Sequence, residues 1–255
     1  MKTDLGLSGA VVLVTGGVRG VGRGITDVFL AHGAHVVTCA RRETATAAEF
    51  VQCDIRDEAQ VAALIDGIVA KHGRLDVVVN NAGGAPYTPA ADASPRLHEK
   101  IVQLNLLAPL LVSQKANAVM QRQDGGGSIV MISSVSGTRA SPGTAAYGAA
   151  KAGLDNLTAS LAVEWAPKVR VNALDVGMVR TEQSHLHYGS EAAVEAVGKT
   201  VPLGRLAEPE EVGACAAFLA SGLASYVSGA TLRVHGGGEV PAFLAAADVN
   251  QREDS

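Results

Sequence analysis

Short apolar runs alternate with stretches of helical period along almost the whole chain. That rhythm is the feature that most limits what the sequence can fold into. The runs Ala10–Thr15, His35–Cys39, Glu49–Cys53, Leu75–Asn80, Ser128–Ser133, Arg170–Leu174 and Thr231–Val234 read as seven strands. Several are continuous in Val and Ile, which suits strands covered on both faces and therefore a parallel sheet. Between them, Val61, Leu64, Ile65, Ile68 and Val69 recur at helical spacing, as do Leu154, Leu157, Leu161 and Val163, and the stretch Val212 to Leu219. Glu208-Pro209-Glu210-Glu211 has the form of a helix start, because proline is tolerated in the first turn and acids favour the positive end of the dipole. Strand–helix alternation of this kind predicts one α/β domain over residues 1–255, with a doubly wound parallel sheet of Rossmann type and right-handed crossovers. A length of 255 residues suits one such unit. Two regions break the rhythm. Residues 182–200, rich in His, Tyr and Ala, are expected to form a substrate loop, and residues 239–255 a C-terminal tail.

Composition narrows the partners. Hydrophobic residues make up 47% of the chain, charged residues 18% and aromatics 4%, which is too apolar for disorder and poor in base-stacking rings. A formal charge of −4 gives no basic field for nucleic acid or an anionic membrane. Cys39, Cys53 and Cys215 are too few and too scattered for a disulfide framework or a zinc site, and are expected to pack as small hydrophobes in a reducing compartment. No signal peptide and no run of about 18 apolar residues is visible, so a cytoplasmic location is expected. His185 and His187 stand at i, i+2, a poor spacing for two ligands on one helix face, so no metal is expected.

The first strand runs straight into Thr15-Gly16-Gly17-Val18-Arg19-Gly20-Val21-Gly22, which in turn opens a helix. Glycines there permit a tight turn and close approach of backbone to a pyrophosphate, and the helix N-terminus presents free N–H groups to it. A P-loop is excluded, since no Gly-Lys-Ser/Thr follows. The second strand ends in Ala40-Arg41-Arg42, where a free ribose 2′-hydroxyl would prefer an acid. Arg41 and Arg42, with Arg19 from the glycine turn, suit a 2′-phosphate and favour NADP(H), with NAD(H) as the alternative.

At this point the sequence resembles the short-chain dehydrogenase/reductase family over about residues 7 to 238. The resemblance rests on separated motifs in order: the TGxxxGxG turn, Asn80-Asn81-Ala82-Gly83, Asn105, Ser134, the Tyr147/Lys151 pair in YxxxK spacing, and Val171-Asn172. On a helix, i and i+4 share a face, so the phenol and ammonium project into one cleft. Ser134 precedes Tyr147 by thirteen residues, as in the family. Tyrosine alone, with a pKa of ~10, is a poor base at neutral pH, and nearby Lys⁺ and the oxidised nicotinamide ring are expected to lower it. Tyr147 is thus the expected acid/base. The resemblance implies that Lys151 also holds the nicotinamide ribose, that Ser134 polarises the carbonyl, and that Asn105 keeps a water in a relay behind Lys151. It further implies cofactor contacts from Asp54 (facing adenine) and Ile55, from Asn81, Ala82 and Gly83 near the adenosine ribose, and from Gly177, Val179 and Thr181 at the nicotinamide carboxamide.

The chain departs from the family at Asp175-Val176-Gly177, where Pro-Gly is usual, and at His235, where an acid is frequent. Asp175 brings a carboxylate near the site. His235 is read as a packed or surface residue. The expected reaction is NADP(H)-dependent interconversion of a ketone and a secondary alcohol on a largely apolar substrate. Reduction of a 3-oxoacyl thioester is the alternative, and a catalytically silent nucleotide sensor is the rival of another class. A homotetramer is expected, because Ala149, Ala150, Ala152 and Gly153 permit close helix packing across a two-fold axis. Val240-Pro241-Ala242-Phe243-Leu244 is expected either to cover a pocket or to pack between subunits.

Overall fold

A computed structural model describes residues 4–246. Seven strands form one all-parallel sheet in the order β3-β2-β1-β4-β5-β6-β7. They are β1 (Val11–Thr15), β2 (His35–Ala40), β3 (Glu49–Gln52), β4 (Val77–Asn80), β5 (Gly127–Ser134), β6 (Val169–Val176) and β7 (Thr231–Val234). The sheet has the expected Rossmann-type α/β form, and the sequence order reverses between β1 and β4, the switch point at which such sheets open a crevice.

Alternation along each strand sends side chains to two separate layers. Val11 and Leu13 point into a layer with Leu64 and Ile65 of α2 (Glu58–His72), Val112 of α4 (Ala108–Met120) and Leu154 of α5 (Ala145–Glu164). Val12 and Val14 point to the other side, against Ile25 and Phe29 of α1 (Gly20–Ala31) and Val212 and Leu219 of α8 (Pro209–Ala220). Fully burying such side chains contributes about 1.5–3 kcal/mol each, which fixes the strand register. The helix ends follow local chemistry. The Asp57 side chain accepts the Gln60 N–H at the start of α2, and Glu208 and Glu211 form a reciprocal capping box on α8.

Strand limits shift by up to two residues from the sequence reading. The central strands β5 and β6 extend to Gly127–Ser134 and Val169–Val176, where eight consecutive residues pair. β4 starts later, at Val77, because Leu75 is bonded by the Gln123 side chain, while Asp76 still donates its N–H to the Val11 carbonyl and accepts the Ser128 N–H. Gln123 Oε1 accepts the Leu75 N–H, and Asp76 Oδ2 accepts the Val11 N–H. The 182–200 segment is not an open loop. It forms α6 (Ser184–Tyr188) and α7 (Glu191–Gly198), the latter capped by the Ser190 side chain. The start of the tail, read as completing no element, forms a short helix, α9 (Ala242–Ala246), whose Phe243 is 70% exposed. Residues 247–255 of the expected tail lie outside the described residues. No described helix is long and apolar enough to cross a membrane.

Candidate active site

A cleft of about 940 Å³ runs along the carboxyl ends of the strands. At one end it is lined by the glycine turn, by Cys39 to Arg42 after β2 and by Cys53 to Arg56 after β3. At the other end stand Ser134, Tyr147, Lys151 and the 176–188 segment. Of the expected cofactor residues, Gly16, Val18, Arg19, Gly20, Val21, Gly22, Arg41, Arg42, Asp54, Ile55, Asn81, Ala82, Gly83, Gly177, Val179 and Thr181 all line it. Gly17 does not. It faces inward, where a Cβ would lie 2.5 Å from the hydroxyls of Thr26 and Thr38, so its constraint is packing under the turn.

The glycine turn is held by its neighbours. Asn81 Nδ2 donates to the carbonyls of Thr15 and Gly16, and Thr15 Oγ1 accepts from the N–H groups of Asn81 and Ala82. A Cβ at Gly22 would sit 2.3 Å from the Gly16 carbonyl oxygen and 2.4 Å from Asn81 Nδ2. Asn81 thus knits β4 to the turn. Arg19, Arg41 and Arg42 form no ion pair among the described residues, which leaves three guanidinium groups free at this end. Asp54, in the cleft lining, also has a protein partner. Arg56 grips both its oxygens, at 2.9 and 2.6 Å, and holds its carboxyl below the usual carboxylate range. Sequence reasoning missed Arg56, although a basic residue two positions after an acid at a strand end was visible.

At the other end, Ser134 closes β5, with its hydroxyl accepting the Ser136 N–H. Tyr147 and Lys151 lie one turn apart on α5, with Nζ 5.5 Å from the phenol ring centroid. Lys151 is buried, donates to the Ile132 carbonyl at 2.7 Å, and has its pKa pushed down by burial to about 8. Tyr147 departs from the sequence expectation. Burial pushes its pKa up, the Ser134 hydrogen bond opposes that, and the Asp175 carboxylate adds to the rise. Lys151 spends one of its N–H groups on the Ile132 carbonyl, and burial lowers its own pKa.

Asn105 is wholly buried behind the cleft, in a π-helical turn spanning Gln103–Leu107. Such turns expose backbone and re-aim side chains. Its carboxamide accepts the Gly84 N–H and donates to the carbonyls of Gly84 and Ile101. A Cβ on Gly83 would meet Asn105 Oδ1 at 2.7 Å and Lys151 Nζ at 3.5 Å, so the three groups converge. Asn172 serves structure, bonding the Val227 carbonyl and the Ala230 N–H ahead of β7.

Asp175 is fully buried. One oxygen accepts the Thr138 hydroxyl at 3.4 Å and lies 4.0 Å from Arg233 Nε, while the other has no partner among the described residues, and burial raises its pKa. The 182–200 segment presents Gln183, His187 and Tyr188 to the cleft, while Leu186 is 68% exposed. Glu182 Oε1 accepts the Gly20 N–H at 3.1 Å, which places a carboxylate on the glycine turn. His235 is half-buried, its Cβ 2.8 Å from where a Cβ on Gly177 would stand. Among the described residues no cluster of His, Cys, Asp or Glu is arranged to hold a metal.

The family model described as "Enoyl-(Acyl carrier protein) reductase" matches residues 16–239. The chain is 38% identical to oxidoreductase UcpA of Escherichia coli strain K12, over 92% of this chain and 96% of the relative. It is 35% identical to a 3alpha-hydroxysteroid dehydrogenase of Mediterraneibacter gnavus, over 90% and 97%. The solved aldohexose dehydrogenase of Thermoplasma acidophilum superposes with a TM-score of 0.88 at 32% identity, over 92% and 96% of the two chains. On the matched motifs, the parallel sheet and these relatives, the chain belongs to the short-chain dehydrogenase/reductase family.

Proposed function

We propose that this protein is an NADP(H)-dependent oxidoreductase that interconverts a ketone and a secondary alcohol. The observation that carries the reading is the convergence of Ser134, Tyr147 and Lys151 in a cleft whose far end holds three arginines without an ion-pair partner among the described residues. The cleft fits a dinucleotide. Its glycine turn leaves no room for a Cβ at Gly22, and Arg19, Arg41 and Arg42 are free to take a 2′-phosphate. Gly16 to Gly22 would hold the pyrophosphate, Ile55 and Asn81 to Gly83 the adenosine, Lys151 the nicotinamide ribose, and Gly177, Val179 and Thr181 the carboxamide. Bound nicotinamide supplies or accepts the hydride.

The protein handles the proton. A carbonyl oxygen seated between Ser134 and Tyr147 receives a hydrogen bond from the serine hydroxyl and, as negative charge develops, the phenolic proton. Burial keeps Tyr147 protonated, the form that carbonyl reduction consumes. Lys151 and Asn105, with a water between them, return a proton to the phenol. The 182–188 wall closes the cleft over the substrate. Relatives in this family include enzymes named for a hydroxysteroid and for an aldohexose, so the fold takes both apolar and polar alcohols. An apolar substrate body is favoured by Met178 and Tyr188 in the lining. The second reading is reduction of a 3-oxoacyl thioester; the description of the matching family model supports its acyl-thioester part alone, since it names an enoyl substrate. The exposed small-residue face of α5, with Ala149, Ala152 and Ala159, supports self-association as a homotetramer, and the expected location is the cytoplasm.

A panel of ketones, hydroxysteroids and acyl thioesters with NADPH and NADH, followed by reduced-nicotinamide absorbance, tests the reading. Turnover with NADPH well above NADH is expected. Equal use of both nucleotides overturns the cofactor assignment, and no turnover of any carbonyl overturns the reaction.

A further inference from the structure

Arg139 stands at the junction of two spaces. It lines the catalytic cleft near Ser134, Tyr147 and Tyr188, and it also lines a side chamber of about 250 Å³ bounded by Arg233, His235 and Glu239. One guanidinium nitrogen donates to the Ala140 carbonyl at 3.0 Å, and another meets Glu239 Oε1 at 2.7 Å. Both side chains of the pair remain more than two-fifths exposed, at 42% and 44%. The one carboxylate lining the cleft among the described residues is Asp54, at the opposite end and gripped by Arg56. At the reacting end the lining therefore presents two cationic side chains, Arg139 and Lys151, and no acid among the described residues. Across the chamber Arg233 faces the buried Asp175, which forms no ion pair with Arg139.

Glu239 reaches Arg139 from just after Gly236-Gly237-Gly238, three residues with φ of +63°, +98° and +86°. The turn itself is held, with the Gly236 carbonyl accepting the Leu203 N–H at 3.1 Å and Gly238 N–H donating to the His235 carbonyl at 3.0 Å, so it is the Glu239 side chain that has to swing away. An exposed ion pair is weakly held, so an incoming anion can exchange with it at little cost.

We propose that the substrate carries an oxyanion group, such as a carboxylate, away from the reacting carbonyl, and that this group replaces Glu239 on Arg139. The inference rests on the carbonyl reading above and adds its substrate class. Glu239 demonstrates that a carboxylate fits this guanidinium, and Tyr188 stands beside both charges, with Arg139 lowering and Glu239 raising its pKa against a rise set mainly by burial. The anion anchors one end of the substrate while Ser134 and Tyr147 hold the other, which fixes the carbonyl for reaction.

The test compares keto acids with their matched uncharged methyl amides, and coenzyme A thioesters with uncharged N-acetylcysteamine thioesters, in wild type, Arg139→Gln and Glu239→Gln. In wild type, kcat/KM is expected to favour the anionic member by about tenfold. Arg139→Gln is expected to close that gap through KM, and Glu239→Gln to lower KM for the anionic member by removing its competitor. Dependence in the keto-acid pair places the anion on the substrate itself, and dependence confined to the coenzyme A pair places it on the carrier. Equal kcat/KM within both pairs overturns the proposal, as does an equal loss on all members in Arg139→Gln. Failure of the underlying reaction reading shows differently, as no NADPH oxidation with any member. Calorimetric titration of the keto acids then decides the site, since binding to wild type but not Arg139→Gln upholds it and no binding overturns it.

Discussion

The two ends of the cleft are built from different materials. The nucleotide end is mostly backbone from one contiguous turn, Gly16–Gly22, braced by Asn81 and Thr15. The reacting end is made of side chains gathered from β5, α5, β6 and the 182–188 segment. The difference teaches where each end is vulnerable. A backbone cradle fails when an atom is added, whereas a side-chain constellation fails when a functional group is removed and otherwise keeps its shape.

The largest expected effect is at the side-chain end. Tyr147→Phe removes the proton donor but keeps the ring, so turnover should fall about 10²–10⁴-fold with nucleotide affinity largely retained. Steady-state rates beside an NADPH titration check this, and retained turnover would sink the mechanism. The converse probe is Gly22→Ala. Its Cβ would sit 2.3 Å from the Gly16 oxygen, so the turn must shift, with a loss of about 1–3 kcal/mol in stability and loss of nucleotide binding. Thermal melting and the same titration would show it, and an unshifted Tm with normal binding would mean that the turn is not the cradle described. Arg41→Asp should weaken NADPH on the order of ten- to a hundredfold and NADH far less, since one charge-assisted contact is worth about 1.5–3 kcal/mol. Equal loss of both nucleotides would detach Arg41 from the 2′-phosphate.

Lys151 carries a pH signature. Its pKa in the fold is about 8, below the ~10.4 of an unfolded lysine. Between those values the unfolded chain binds the extra proton, so this group alone makes stability rise with pH across that window. Below about 8 both states are protonated and its burial penalty is felt in full. Lys151→Met should therefore flatten the stability profile between pH 8 and 10, read by chemical denaturation. An unchanged slope would show that the ammonium is better solvated than its burial implies. The smallest effect concerns Glu182, whose carboxylate sits on the Gly20 N–H at 3.1 Å. Glu182→Gln removes an anion from the phosphate turn and should tighten NADP(H) by about two- to fivefold, the scale of a charge at a helix N-terminus. Weaker binding would make Glu182 a support for the turn instead.

Period and spacing fixed much of this from the chain alone. Valine runs specified buried parallel strands, and the four-residue interval from Tyr147 to Lys151 put both groups on one face of α5, because helical geometry is local and repeats every turn. The glycine turn was legible for the same reason, its seven residues being contiguous. Tertiary structure decided what periodicity cannot carry. Asp54 was taken by Arg56, and Gly17 turned inward onto Thr26 and Thr38. Tyr147 rose in pKa where a neighbouring lysine alone would have lowered it. Arg139 met Glu239 a hundred residues further along the chain. A charge takes its strength from the water it loses and the partner it gains, and both are set only when distant segments close over it.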